Sequence, residues 1–299
     1  MYLQIFNVVG PVFIMTFIGF ILARRFPELD SRTLSTCVLM VATPALVFST
    51  LTSLEVTAAS LAKMAFAAAL GVGVAGLIAW AILLIIRFPV STFLPSLMLP
   101  NSGNIGLPVV LLAFGEAGLA LAISYFFVVA LLQYTVGAAI ASGQYRLGEL
   151  VRQPLVWSIL AVLLVMATGF QVPQVIETST AILGGMMVPA MLILLGTSLS
   201  RLKVADLKPA LLMALLRLMI GASVGFGLTW ALGLHGVEAG TVFLLAVMPT
   251  AIINYVLADR YRDDAQQVAG VVVVSTLITF ALLPGLILVA YWFAGQSGN

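Results

Sequence analysis

Apolar residues run along this chain in long stretches, without the alternation of a half-buried strand. Near 5–23, 33–52, 60–86, 92–114, 117–141, 154–170, 177–199, 209–233, 238–259 and 266–293 the chain is almost free of charge. A bilayer-crossing helix needs about 20 such residues, so the pattern predicts ten transmembrane helices. The strands of a membrane barrel would instead alternate over about ten residues. The expected fold class is therefore an all-α polytopic membrane protein.

Composition sharpens this. Hydrophobic residues make up 62% of the 299 and charged residues 8%, with a mean hydropathy of +1.19. Twenty-four charged side chains cannot cover a globule of this size in water. A net charge of +2 with no basic cluster argues against a nucleic-acid partner. Cys37 stands alone in an apolar run, which excludes a disulfide framework and a thiolate metal site. His235 is the one histidine, so no site with two imidazoles is available.

The basic residues set an orientation through the positive-inside rule. Eleven of the 13 fall in odd-numbered loops, among them Arg24, Arg25, Arg32, Arg87, Arg146, Arg152, Arg201 and Arg260. The tails and even-numbered loops hold only Lys63, and Arg217 lies inside the eighth span. Both termini are expected outside the cytoplasm. The first apolar run has no basic leader, so it is expected to be a retained helix and not a secretion signal.

The halves resemble each other. Residues 70–81, LGVGVAGLIAWA, match 220–231, IGASVGFGLTWA, so Gly71 pairs with Gly221 and Trp80 with Trp230. Pro100 pairs with Pro249, Pro44 with Pro189 and Pro11 with Pro154, all in order and at nearly constant offset. This predicts a first repeat over 1–141, a linker over 142–153 and a second repeat over 154–299. Five spans per repeat place the second copy upside down, an arrangement characteristic of secondary transporters.

The fourth span is interrupted by Leu99-Pro100-Asn101-Ser102-Gly103-Asn104-Ile105-Gly106-Leu107-Pro108. Each proline removes a backbone donor and blocks a carbonyl, and freed polar groups cannot face lipid. The segment is expected to face the protein interior, with helix breaks at Pro100, Gly106 and Pro108. Its counterpart in the ninth span is Met248-Pro249-Thr250-Ala251-Ile252-Ile253-Asn254-Tyr255. Broken helices four and nine are expected to cross near the pseudo-two-fold axis. There Asn101, Ser102, Gly103, Asn104, Thr250, Asn254 and Tyr255 would offer neutral donors beside helix N-termini, a setting suited to an anion.

Weaker signals surround this locus. Gln133 in the fifth span either faces the crossover or bonds a neighbouring helix. Arg217 either snorkels to headgroups or carries a charge role toward substrate. Gly71, Gly73 and Gly76 suit close helix packing. Glu55, Lys63 and Glu116 read as outer-boundary residues. No buried acidic pair marks a proton relay, and carbonyls freed at the breaks could hold sodium, so H+ and Na+ both remain open as coupling ions. No other cofactor or metal is expected. An intramembrane serine hydrolase lacks a base near Ser102, and no HExxH is present for zinc.

The segments PALVFSTL at 44–51, LPNSGNIGLPVVLLAFG at 99–115, VPAMLILLGTSLS at 188–200 and MPTAIINYVLA at 248–258 resemble the auxin efflux carrier family of permeases. The resemblance runs through all ten spans. It implies the fold shared with bile acid–sodium symporters. Helices one, two, six and seven would form a scaffold, and the other six a mobile core that works as an elevator. It also implies a small organic anion as substrate, malonate or another carboxylate. A sodium-coupled organic-anion symporter and an exporter of indole acids are the alternatives. Only residues 142–153 separate the halves, without the long cytoplasmic loop of many plant carriers, which points to a bacterial cytoplasmic membrane. Relatives of this fold are often homodimers.

Overall fold

The computed structural model describes residues 2–28, 30–53, 57–144 and 153–295. In chain order the helices are α1 (Tyr2–Arg25), α2 (Ser31–Ser53), α3 (Ala58–Ile86), α4 (Val90–Met98), α5 (Ser102–Ser142), α6 (Pro154–Thr168), α7 (Gln174–Arg201), α8 (Leu207–Ala231), α9 (Gly236–Val247), α10 (Ile252–Tyr261) and α11 (Ala265–Phe293). Among the described residues the one departure from helical pairing is an isolated antiparallel bridge between Pro100 and Thr250. Glu55, Arg146, Arg152 and most of the expected linker lie outside the described residues.

Among the described residues seven helices, α1, α2, α3, α5, α7, α8 and α11, are long and apolar enough to cross a membrane. The remaining expected spans are built from other pieces. The 41-residue α5 takes in the end of the expected fourth span and all of the fifth. Gly115 interrupts it at φ 66 and ψ −161, backbone angles open essentially to glycine alone. The expected ninth span is the pair α9 and α10. At 15 residues, α6 is about 22 Å long, short of the roughly 30 Å hydrocarbon core.

Helices arise here because each apolar run satisfies its backbone groups internally, and their outward faces stay apolar. Leu77 and Ile85 on α3, and Met219 and Trp230 on α8, are exposed. Such faces suit lipid and would be costly in water. The helices pack in two groups. In one, α1 lies on the second half of α7, while α2 packs on α6 and on the first half of α7. In the other, α3, α4, α5, α8, α9, α10 and α11 enclose the breaks.

The α1–α7 contact is a backbone approach. A Cβ on Gly19 would fall on the Ile193 carbonyl, and one on Gly196 on the Thr16 carbonyl. Small residues permit such approaches within membranes. The pair Gly71 and Gly221 behaves alike in the second group, both buried at helix contacts, and Trp80 and Trp230 both face outward. Gly73 departs from the packing expectation: nothing lies within 4 Å of where its Cβ would be. Lys63 pairs with Glu238 at 3.0 Å, joining α3 to α9.

Candidate functional site

The two interruptions lie directly against each other. After Met98 the chain is extended through Leu99, and after Val247 it is extended through Met248. Asn101 donates its N–H to the Pro249 carbonyl at 2.7 Å, and Ala251 donates to Leu99 at 3.4 Å. This short antiparallel pairing satisfies backbone groups that no helix serves at this depth. The breaks are shorter than the sequence suggests. Gly106 and Pro108 do not break the helix, because Ser102–Gly106 forms a π-turn and α5 continues through Pro108. Pro108 falls in the first turn of the α-helical stretch that follows the π-turn, where a missing N–H is tolerated. Gly106 still belongs to the crossover: a Cβ there would come within 2.6 Å of Leu245 Cδ2.

The four helix ends created by the breaks are sorted by sign. The C-terminal ends of α4 and α9 converge on Arg217. Its Nη1 donates to the Leu97 carbonyl at 3.0 Å, and its Nη2 to Ala246 at 2.7 Å and Met248 at 3.0 Å, while Nε donates to Met248 at 3.1 Å. Arg217 is 2% exposed, so it does not snorkel. The carbonyls at the breaks hold it more effectively than distant headgroups could. The N-terminal ends of α5 and α10 face the other way, onto a cavity of about 500 Å³.

That cavity is bounded by Asn101, Gly103 and Asn104 on one break and by Ala251, Ile252 and Ile253 on the other. Its opposite wall comes from α2, through Ser31, Arg32, Ser35, Val38 and Thr43, and from α7, through Met191, Leu194 and Ser198. The lining mixes apolar residues with polar ones, among them the exposed Arg32 and the partly exposed Ser31 and Ser198. Among the described residues Arg32 is the one charged side chain lining it. Three π-turns occur among the described residues, at Val38–Ala42, Ser102–Gly106 and Gln133–Gly137. Each has a residue lining this cavity, and π-turns recur at functional sites.

Asn101 is the most informative side chain here. Its Oδ1 accepts the Asn104 N–H at 3.2 Å, capping α5 and fixing which end of the amide is nitrogen. The Nδ2 is buried and has no partner. An unmatched buried donor costs about 1–3 kcal/mol, and here it lies on a residue lining a cavity at a helix N-terminus. Gln133, also in the lining, donates Nε2 to the Pro100 carbonyl at 3.3 Å.

The expected site residues divide. Asn101, Gly103, Asn104 and Gln133 line the cavity; Ser102, Thr250, Asn254 and Tyr255 do not. Thr250 donates its hydroxyl to the Ser96 carbonyl at 2.7 Å, and Asn254 donates Nδ2 to Pro95 at 3.1 Å and Leu99 at 3.4 Å. Both tie the second break to the end of α4, Asn254 by adding a second donor to carbonyls that already accept the Leu99 and Ala251 N–H groups. Tyr255 bonds Asp259 at 3.4 Å. Arg217 is also absent from the lining. The sequence reading missed Thr43, whose buried hydroxyl is unpartnered; the adjacent Pro44, matched in the repeat, was the available signal.

The sequence profile of the family described as "Membrane transport protein" matches residues 4–146 and 142–287. The chain belongs to that family. This is the auxin efflux carrier and membrane transport protein family that the motifs at 44–51 and 99–115 resemble. Two archaeal relatives carry transporter names. The "Uncharacterized transporter MJ1031" of Methanocaldococcus jannaschii is 31% identical over 207 residues, 65% of each chain. An "Uncharacterized transporter" of Methanothermobacter thermautotrophicus is 30% identical over 193 residues, 62% of this chain and 63% of the relative. The match thus spans somewhat under two thirds of each relative's length. As a member of the membrane transport protein family with several long apolar helices, the chain is a multi-pass membrane protein.

Proposed function

We propose that this protein is a secondary transporter of small organic anions, such as malonate or another carboxylate. One observation carries the reading: the N-terminal ends of two broken helices open onto one cavity, and Asn101, which lines it, holds a buried Nδ2 without a partner. Each helix N-terminus carries about +0.5 of a charge, so two of them match one carboxylate without a formal cation. A volume of about 500 Å³ lies in the range of small-molecule sites.

In this reading the chain forms ten spans as two inverted five-helix repeats, with α4–α5 and α9–α10 as the crossed broken helices. The group of α1, α2, α6 and α7 is the scaffold, and the remainder is a core that moves as a rigid elevator. The denser packing within each of these groups than between them supports the assignment. Both termini lie outside a bacterial cytoplasmic membrane, and the cavity opens toward the basic, cytoplasmic side at Arg32.

The test is uptake of radiolabelled malonate into proteoliposomes, with a pH gradient, a sodium gradient or neither. Uptake above empty liposomes supports the reading. No uptake of malonate or of any carboxylate in a panel would sink it. Arg32→Gln is expected to raise KM from the cytoplasmic face about 2- to 5-fold with kcat unchanged, because a solvated charge at the mouth concentrates anions and is screened by salt. The difference should fade at high ionic strength. A KM change that persists there would mean direct contact instead.

A further inference from the structure

We propose that the Arg217 guanidinium is a tethered cation, seated in a carbonyl site at the crossover that would otherwise be open to a diffusible one. The inference deepens the transport reading and depends on it only for the uptake measurement below.

Three observations carry it. First, the acceptors are all main-chain carbonyls at or just beyond the C-terminal ends of α4 and α9, namely Leu97, Ala246 and Met248. Such ends leave carbonyls without helical donors, and each carries about −0.5 of a charge. Two ends together match one guanidinium. Second, no ion pair found among the described residues involves Arg217, so these carbonyls are its counter-charge. A cation buried without compensation would be strongly disfavoured. Third, Arg217 comes from α8, outside both broken segments, and stays off the cavity lining. It therefore supports the crossover without touching the proposed anion.

Unwound carbonyls and half-helix C-terminal ends are oxygen donors of the kind that hold Na+ in transporters. Here that pole is already filled by a group that cannot leave. The anion pole on the opposite side of the break is thereby complete without a co-bound metal ion. The planar fork matters as well as the charge, since it donates in three directions at once; an ammonium at the same position could not reach all three carbonyls.

The experiment uses the purified full chain. Wild-type melting temperature, and malonate uptake if present, should be the same in sodium, potassium and choline chloride. Arg217→Ala should melt roughly 5 °C or more lower. Low millimolar guanidinium or methylguanidinium should recover at least half of that loss, with choline ineffective and the wild type unchanged. Arg217→Lys should fall between the two and stay insensitive to sodium. A sodium requirement in the wild type, or an Arg217→Ala protein indifferent to guanidinium, would overturn the proposal. If the alanine variant folds only when guanidinium is present during purification, the proposal stands; if it folds under neither condition, the lysine variant and the wild-type salt series decide. The melting measurements need no substrate, so absence of malonate uptake bears on the transport reading and leaves this one to be judged separately.

Discussion

Asn101→Ala is expected to lower anion uptake about 10- to 100-fold while leaving the protein folded. The first part follows from the proposed anion site, in which Asn101 Nδ2 would donate to the substrate carboxylate, since hydrogen bonds to charged groups contribute about 1.5–3 kcal/mol. The second follows from what else Asn101 does. Its Oδ1 caps the Asn104 N–H, and losing a cap costs about 1 kcal/mol. The backbone pairing of Asn101 with Pro249 at 2.7 Å survives the substitution. Asn101→Asp separates the two roles more cleanly. It keeps an acceptor for the cap and replaces the free donor with a negative charge. Melting should then stay near that of the wild type while uptake disappears at any substrate concentration. Transport by the aspartate variant at the wild-type level would move the anion site away from this end of α5.

The second large effect concerns stability. Gly196→Ala is expected to lower the melting temperature by roughly 5 °C or more, corresponding to the upper part of the 1–3 kcal/mol typical of overpacking. The obstacle is the Thr16 carbonyl on α1. A backbone atom cannot step aside as a side-chain tip can, so the helices themselves must separate. Gly19→Ala should behave similarly from the other side, against Ile193. Gly73→Ala and Gly285→Ala are the controls, with nothing within 4 Å of the added carbon. They should be neutral or slightly stabilising, because alanine is the better helix former. Equal melting of Gly196→Ala and Gly73→Ala would show that α1 and α7 do not approach as closely as described.

Much of this molecule is written in local composition. Runs of apolar residues about 20 long give helices whatever surrounds them, because no other backbone arrangement satisfies its polar groups in lipid. Pro100 and Pro249 announce breaks for a covalent reason, the missing N–H. Asn101 and Asn104, next to the first break, were legible as interior residues at a helix end, because proline and glycine lie so close to them, and they line the cavity. The family resemblance rests on the same segments.

What composition could not convey is direction. Thr250 and Asn254 have the same polar character as Asn101, yet they turn toward the last carbonyls of α4 at Pro95, Ser96 and Leu99. Gly106 and Pro108 look like breakers in sequence, but the π-turn at Ser102–Gly106 absorbs them. Arg217 reads as a residue able to reach headgroups, and only the folded chain brings the Leu97 carbonyl, 120 positions away, within 3.0 Å of it. Thr43 joins the cavity because α2 happens to face the broken helices.

The sequence by itself determined that the chain is helical, membrane-embedded and twice interrupted, since hydropathy and proline chemistry act within a few residues. The tertiary structure alone decided which helix ends face the cavity and which face Arg217, because a charge or a dipole acquires its partner only when segments distant in the chain are brought into contact.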